Sequence, residues 1–277
     1  MTLATDRETR HFDFGRNWSD YSARVDDAAI IAAKRGLDRL GLNDLKGKTF
    51  IDVGCGSGIH SLAAAERGAV VTAVDIDADS VATTKRVLRH RGIEAVVRQC
   101  SVFESADMGE FDVVYSWGVL HHTGDVWGAI DSAADRVKLG GSLAIALYEE
   151  SRLCWAWQPI KRLYSKLGRA LRSPIKYVFG GALLFSSCAR QRALPSSYLS
   201  MYHRNRGMSF WHDVDDWLGG YPYQSTRSNE VISFLGQRGF VPNHVSALSR
   251  PIGVFGTGCS EFNFIKRHLS KSDNRSK

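Results

Sequence analysis

Short apolar runs alternate with segments of helical periodicity along the first half of the chain. In the helical segments, apolar residues recur every three to four positions, which places them on one face of a helix. The runs between them are continuous and rich in Val, Ile and Ala, as is typical of strands buried on both faces. The predicted strands are 49–53, 70–74, 95–99, 111–116 and 142–148, and the predicted helices are 23–40, 60–67, 79–90 and 126–137. This alternation predicts an α/β fold with a parallel sheet covered by helices on both faces.

The C-terminal part shows one more helix and two strands, which together suggest a terminal hairpin. The helix is predicted at 229–238 and ends at Gly239, and the strands are predicted at 241–247 and 261–266. A turn is predicted at 139–141, where Leu-Gly-Gly interrupts the apolar pattern. The expected segments are an N-terminal cap or lid (1–44), a core (45–150), a basic aromatic insert (151–225), a C-terminal helix and hairpin (226–269) and a disordered tail (270–277).

The composition is that of a folded globular protein. Of 277 residues, 44% are hydrophobic and only 6 are prolines, which excludes extensive disorder. No uncharged apolar run is long enough to span a bilayer, and the first ten residues do not resemble a secretory signal. The cysteines have no CxxC spacing, so we expect neither a disulfide framework nor a zinc site, and a reducing cytoplasm as the location. They are Cys55, Cys100, Cys154, Cys188 and Cys259.

Positive charge is concentrated in one segment. Residues 151–212 contain eleven Lys and Arg and no acidic residue, which leaves 25 basic and 29 acidic residues elsewhere. The net charge of +7 therefore comes from this segment alone. Such a block indicates an anionic partner, unless it is simply a solvated helix face.

A glycine-rich turn joins the first predicted strand to the next helix. The sequence from Asp52 to Gly58 has glycines at 54, 56 and 58, which allow a tight turn and close approach of a ligand to the backbone. A dinucleotide fingerprint would require a third glycine at position 59, where Ile59 stands. Asp75 ends the second strand, where a carboxylate could accept both hydroxyls of a ribose.

These motifs, with 99–103, 111–122 and 136–141, resemble those of the class I S-adenosylmethionine (SAM)-dependent methyltransferases. Within that class the chain looks most similar to ubiquinone-biosynthesis-type small-molecule O-methyltransferases. The resemblance implies a Rossmann-like, mostly parallel sheet of seven strands, the last antiparallel, with helices on both faces and a mainly helical basic insert after strand five. Ser101 departs from the family, which often has an acidic residue there, and Leu139 replaces a common proline.

The resemblance also implies SAM as cofactor, with S-adenosylhomocysteine as product. Asp52 would orient the methionine end, Asp75 would bind the ribose, and Ser101 and Val102 would flank the adenine. The full set of implied cofactor residues is Asp52, Gly54, Cys55, Gly56, Gly58, Asp75, Ile76, Ser101, Val102, Ser116 and Trp117.

His121 and His122 follow the fourth strand, where the acceptor approaches the methyl group in the family fold. Methyl transfer from a sulfonium mainly requires positioning, and a hydroxyl acceptor also benefits from a base. Imidazole has a suitable pKa, so at least one of the two is a candidate base, with proximity alone as the alternative. The sequence 116–119 lacks the Pro-Pro pattern of exocyclic-amine methyltransferases, so transfer to oxygen is favoured and transfer to carbon or another nitrogen stays open.

Aromatic and polar residues further along the chain could wall an acceptor pocket, or could form a satellite core. The resemblance also implies that the first residues of the chain, including Tyr21, close over the cofactor as a lid. No metal site is expected, although His212 and Asp213 leave one barely open. The candidate substrate residues are Tyr21, Trp117, His203, Arg206, Trp211, His212 and Tyr221.

The beginning of the basic insert has the pattern of an amphipathic helix. Aromatic residues such as Trp155 and Trp157 interleave there with Lys161, Arg162 and Lys166. This pattern suits peripheral contact with the inner face of an anionic membrane, recognition of a lipid-like or phosphorylated small molecule, or, least of all, RNA. The sequence thus favours a methyltransferase for a small-molecule acceptor, with a protein that binds SAM without transferring methyl as the rival.

Overall fold

A computed structural model describes residues 27–150, 154–206, 209–247 and 258–268. The strands are β1 (Thr49–Val53), β2 (Val70–Asp75), β3 (Val96–Gln99), β4 (Phe111–Trp117), β5 (Val137–Tyr148), β6 (Phe240–Ser246) and β7 (Cys259–Lys266). The α-helices are α1 (Asp27–Arg39), α2 (Ile59–Ala65), α3 (Ala78–His90), α4 (Val126–Asp135), α5 (Cys154–Lys166), α6 (Arg169–Gln191), α7 (Pro195–Arg206), α8 (Phe210–Gly219) and α9 (Ser228–Gly236). Two 3₁₀ helices span Val102–Met108 and Leu120–His122.

All seven strands join one sheet in the order β3-β2-β1-β4-β5-β7-β6. Strands β1 to β5 pair in parallel, whereas β7 is antiparallel to both β5 and β6. The strand order changes direction at β1, because β2 and β3 lie on one side of β1 and β4 lies on the other. The carboxyl ends of β1, β2 and β4 therefore border one crevice. The mostly parallel, Rossmann-like sheet with an antiparallel last strand confirms the predicted fold class.

Apolar side chains cover both faces of the sheet. On one face, residues of α4 and α9 pack with β1, β4 and β5 in a continuous cluster that includes Ile130 and Leu235. On the other face, α1 and α2 pack over Phe50 and Tyr115. Helix α1 begins the described part of the chain, so residues 23–26 of the predicted first helix lie outside it.

Strand β5 is longer than predicted. The predicted turn at 139–141 is wrong, because Val137–Tyr148 is one strand with a register irregularity against β4. A Cβ on Gly141 would lie 2.9 Å from the carbonyl oxygen of Asp112, so the glycine lets the two strands approach there. The Gly-Gly pair therefore marks a bulge in a strand and does not end it.

Helices α5 to α8 follow β5 and pack around an aromatic cluster of their own. Its fully buried members include Trp157, Tyr164, Phe210 and Tyr223. Helices α5 and α6 both pack on α8, and α7 packs on α1. We call residues 154–219 the helical insert; its four helices extend one side of the α/β core. None of the described helices combines the length and the apolar character needed to cross a membrane.

Candidate cofactor and acceptor site

The glycine turn after β1 brings bare backbone to the carboxyl edge of the sheet. Gly54 and Gly58 have φ angles of +78° and +76°, which L side chains rarely adopt. A Cβ on Gly54 would lie 2.4 Å from Cγ1 of Val119, and one on Gly58 would lie 2.9 Å from Cα of Thr84. Both positions therefore require glycine on two grounds, the left-handed backbone and the overlap of any Cβ with Val119 or Thr84. We call this turn the glycine cradle.

Asp52 lies buried at the end of β1, directly beneath this turn. Its Oδ2 accepts a hydrogen bond of 2.6 Å from the Ser61 hydroxyl of α2. Burial, and to a smaller extent the nearby Asp75 carboxylate, raises the pKa of Asp52 to about 7. A carboxyl group in this state gains from a cationic neighbour, because a nearby positive charge stabilises its ionised form.

Asp75, at the end of β2, shapes the other side of the turn. Its Oδ2 accepts from the backbone N–H of Gly56 at 2.9 Å, and its Oδ1 accepts from that of Asp77 at 3.0 Å. Burial raises its pKa, although these hydrogen bonds oppose the shift. Thr84 completes the arrangement, since its hydroxyl donates to the Gly56 carbonyl at 3.1 Å.

The remaining predicted cofactor residues of the first three strands line the same edge. The Thr84 hydroxyl lies 3.3 Å from Sγ of Cys55, and burial raises the pKa of this thiol well above its usual range. Ser101 caps the 3₁₀ helix in which Val102 is buried. Ile76 is 60% exposed, and its carbonyl accepts from the Gln99 side chain at 3.0 Å. The Ile76 side chain is therefore an exposed apolar group beside Asp75 at the edge of the crevice.

The two predicted residues at the end of β4 differ in orientation. Ser116 is fully buried, and its hydroxyl donates to the Val53 carbonyl at 2.9 Å, so it bonds within the sheet. The Trp117 indole is half-buried and donates from Nε1 to Glu261 of β7 at 3.0 Å. Glu261 also accepts two hydrogen bonds from Arg39 of α1, both of 3.3 Å. Trp117 therefore meets an ion pair that joins α1 to the last strand.

The two candidate bases, His121 and His122, have different environments. His121 is fully buried, and burial holds its pKa well below the usual range. Its Nδ1 accepts from the backbone N–H of Tyr148 at 3.3 Å, so in the neutral ring the proton is on Nε2, which is buried without a hydrogen-bond partner. His122 is half-buried and donates from Nδ1 to the Pro222 carbonyl at 2.7 Å, because a carbonyl can only accept. Nε2 of His122 is then the nitrogen with a lone pair.

A buried lysine lies behind this histidine pair. Lys161 of α5 donates to the Trp217 carbonyl, and its Nζ lies 5.0 to 5.7 Å from the ring centres of Tyr223, Tyr148 and Trp157. Tyr148 in turn lies 4.1 Å from the His121 ring, centre to centre. Burial lowers the pKa of Lys161 to about 7. The prediction that Lys161 belongs to the exposed basic face of an amphipathic helix is therefore wrong; Trp155 and Leu163 are exposed instead.

The candidate substrate residues are not all placed beside His121 and His122. Trp211 packs inside the helical insert, with ring centres 5.1 Å from Tyr177 and 5.3 Å from Phe210, which is the satellite-core arrangement. His203 lies half-buried in α7, and Nδ1 of His212 is buried in α8. Tyr221 is half-buried one residue before Pro222, which contacts His122. Tyr21 and the side chain of Arg206 lie outside the described residues.

Across residues 27–150, 154–206, 209–247 and 258–268, no group of three or more His, Cys, Asp or Glu side chains could hold a metal ion. The sequence left a metal site at His212 and Asp213 barely open. In the structure Asp213 accepts a hydrogen bond from the Tyr202 hydroxyl.

The sequence analysis did not predict three groups at the site, Ser61, Glu261 and the buried Lys161. Ser61 hydrogen-bonds Asp52, and Glu261 accepts a hydrogen bond from Trp117. Lys161 had been assigned to the solvent side of its helix. Ser61 carried a usable signal, since it lies in the first turn of the helix that the glycine turn opens. Glu261 carried none, because its partners are brought together from α1, β4 and β7 by tertiary packing.

Comparison with known proteins agrees with this geometry. Residues 51–145 match a family model described as a methyltransferase domain. The ubiquinone biosynthesis O-methyltransferase of Azotobacter vinelandii is 41% identical over 101 residues, 36% of this chain and 44% of the relative. That of Pseudomonas paraeruginosa is 36% identical over 104 residues, 37% of this chain and 45% of the relative. The chain thus spans less than half the length of these two relatives.

The fold comparison extends over nearly the whole chain. The crystal structure of magnesium protoporphyrin IX methyltransferase from Synechocystis PCC 6803 with bound SAM aligns with a TM-score of 0.51 and 14% identity, and covers 96% of this chain and all of that one. At that identity the likeness concerns the fold. Residues 51–145 are accordingly similar to a methyltransferase domain, and the sheet around them has the Rossmann-like fold that the Synechocystis methyltransferase shares.

Proposed function

We propose that the protein is a SAM-dependent methyltransferase that transfers a methyl group to the hydroxyl oxygen of a small molecule. The observation that carries the proposal is the glycine cradle of Gly54, Gly56 and Gly58, flanked by Asp52 and Asp75 at adjacent strand ends. This donor set fits SAM, which has a cationic amino acid end and a ribose. When bound, SAM supplies a methyl group on a positively charged sulfur, activated for in-line displacement.

Different residues of the chain would hold different parts of the cofactor. Asp52 would hold the ammonium of the methionine end, since a buried carboxyl with a raised pKa gains most from a cation. Asp75 would accept from the ribose hydroxyls, while it keeps the turn in place through Gly56. Ile76, Ser101 and Val102 would border the adenine. Ser116 holds β4 against β1 and supports the site from within the sheet.

On the acceptor side, we assign the base to His122 and not to His121. The Pro222 carbonyl keeps the proton of His122 on Nδ1, so Nε2 can take the acceptor's proton as the oxygen–carbon bond forms and the carbon–sulfur bond breaks. His121 is a poor base, because burial disfavours its charged form and its lone pair is engaged by Tyr148. Its Nε2–H is instead a buried donor that an acceptor oxygen could satisfy.

Oxygen as the methylated atom is supported by the relatives. Those with 36% and 41% identity are named as O-methyltransferases, and the segment 116–119 lacks the motif that holds a planar exocyclic nitrogen. The basic insert also suits an anionic or lipid-like acceptor.

The first test is native mass spectrometry of the purified protein, followed by a coupled assay of S-adenosylhomocysteine release with SAM and fractionated cell extract. Bound cofactor with turnover that depends on a small-molecule fraction supports the proposal. Bound cofactor without turnover in any fraction supports the rival, a SAM-binding protein that does not transfer methyl.

A matched pair of variants tests the pocket itself. Asp75→Ala should weaken SAM binding about 30-fold, because it loses charge-assisted hydrogen bonds worth roughly 2 kcal/mol. Asp79→Ala, in the first turn of α3, should bind SAM normally. Equal affinities for the two variants in titration calorimetry would contradict the assigned pocket.

A further inference from the structure

Helix α6 carries an apolar stripe on its solvent-exposed side. Leu171, Ile175, Val178 and Phe185 are 59%, 40%, 75% and 77% exposed. With Ala182 between the last two, they follow one another at spacings of three and four residues, so they lie on one face of the helix. The stripe runs for about 20 Å along the helix axis, given a rise of ~1.5 Å per residue.

The stripe lies in the part of the described chain that holds most of its exposed large apolar side chains. Of seventeen large apolar side chains exposed among the described residues, nine lie between Trp155 and Leu194. Single exposed apolar residues need no explanation, but a contiguous row on one helix face indicates a binding surface. The inner side of α6 is already used, since a Cβ on Gly180 would lie 2.5 Å from the Trp211 ring.

Exposed basic residues lie at both ends of the stripe, and none lies within it. Lys166 precedes α6, and Arg190 and Arg192 end it; all three are exposed. The nearby acidic residue Asp215 is engaged within the protein: it accepts from the Tyr164 hydroxyl at 2.7 Å and pairs with Lys176 at 3.3 Å. The surface seen by a partner is therefore apolar along its length and positive at its ends.

We propose that this stripe docks on an anionic lipid bilayer, with α6 lying in the plane of the interface. Apolar side chains would enter the boundary between headgroups and acyl chains, while the basic residues meet lipid phosphates. A second copy of the chain is a poorer occupant, because both ends of the stripe are positive and either orientation of two such helices brings like charges together. The proposal concerns binding alone and does not depend on methyl transfer.

The direct experiment is co-sedimentation of the full chain with vesicles. We expect binding to phosphatidylcholine vesicles that contain phosphatidylglycerol, weaker binding as salt rises, and little binding to phosphatidylcholine alone. Failure to bind the anionic vesicles at low salt would overturn the proposal.

Two variants separate the apolar stripe from general charge. Val178→Glu combined with Phe185→Glu should weaken vesicle binding by about tenfold to a hundredfold, because two apolar side chains no longer leave water. Ile31→Glu combined with Val70→Glu, at exposed apolar positions of α1 and β2, is the matched control and should bind as the wild type does. Circular dichroism and SAM affinity, both expected to be unchanged, show that the stripe variant is folded.

The contribution of charge is tested by a second pair. Lys166→Gln with Arg190→Gln should weaken binding about 30-fold, at ~1 kcal/mol for each basic residue near an anionic surface. Lys85→Gln with Arg89→Gln removes the same charge from the exposed side of α3 and should change binding little. Equal losses for the two pairs would indicate non-specific attraction and overturn the assignment. A concentration-dependent dimer abolished by Val178→Glu would assign the stripe to a second copy instead.

Discussion

The α/β core and the helical insert use buried polar groups in opposite ways. In the core, Asp52 and Asp75 lie at strand ends beside the glycine turn, and they accept hydrogen bonds from the Ser61 hydroxyl and the Gly56 backbone N–H. In the insert, Lys161 and Asp215 are satisfied by groups of neighbouring helices, the Trp217 carbonyl and the Tyr164 hydroxyl. In the proposed function the carboxylates of the core bind a ligand, whereas the buried polar groups of the insert hold its helices together. The outer face of the insert, with the apolar stripe of α6, is the surface that we assign to a partner.

His122 lies where the core contacts the segment that follows the insert, and the largest expected effect is there. His122→Gln should lower turnover by about 10²–10⁴-fold without changing SAM affinity, because the variant loses the base and keeps the cofactor pocket. His121→Gln should reduce turnover less, since it removes only a hydrogen-bond donor. Steady-state kinetics of both variants, with the small-molecule fraction as acceptor, provide the measurement. A normal turnover rate for the His122 variant would mean that catalysis needs only the positioning of the acceptor and no base.

The core should tolerate no side chain inside its cradle. Gly54→Ala should lower the free energy of unfolding by about 2–4 kcal/mol, from the left-handed backbone and the overlap with Val119 together, and should abolish SAM binding. Gly92→Ala is the control, because Gly92 has a φ of +67° but no atom near its added Cβ. It should lose only about 1–2 kcal/mol and keep SAM affinity. Chemical denaturation and calorimetry would show whether the cradle, and not glycine strain in general, is what matters.

The same contrast explains how far the sequence predicts the structure. The bounds of β1 match the prediction residue for residue, because a continuous apolar run between polar turns has one interpretation. The positions of the glycine turn and of Asp75 at the end of β2 were predicted for the same reason, since both belong to a local motif. The burial of Lys161 was missed, because its cage comes from β5, α5 and the segment after α8. Likewise, His122 is distinguished from His121 by a carbonyl 100 residues away, which no local pattern contains.

The insert is tested by the pH dependence of its stability. Lys161 has a pKa of about 7 in the folded protein and 10.5 as a reference, so the unfolded chain binds more protons between these values. Stability from this group therefore rises with pH above about 7, by at most ~1.4 kcal/mol per unit. Lys161→Met should lack that rise, whereas Lys166→Met, exposed on the same helix, should keep it.

Denaturant unfolding at pH values near 7.5 and 9.5 measures the difference, about 2–3 kcal/mol between the two variants. Because the two variants differ in titrating groups only at Lys161 and the exposed Lys166, the contributions of buried thiols and tyrosines cancel in the comparison. Parallel pH profiles would mean that Lys161 stays charged in its aromatic surroundings.

The smallest effect concerns Asp52 and sharpens the assignment of the core to SAM binding. Because its carboxyl has a pKa of about 7, a cationic ligand that needs the ionised form must displace a proton at lower pH. SAM affinity should therefore fall about tenfold from pH 8 to pH 6, and calorimetry in buffers of different ionisation enthalpy should detect proton release. Ser61→Ala removes a hydrogen bond that lowers this pKa, so it should move the midpoint of the affinity profile to higher pH. Asp52→Asn should bind SAM weakly, with a flatter profile. An affinity that stays constant across this range in the wild type would place the ammonium of the ligand away from Asp52, and the cradle would then hold its cofactor through Asp75 and backbone contacts alone.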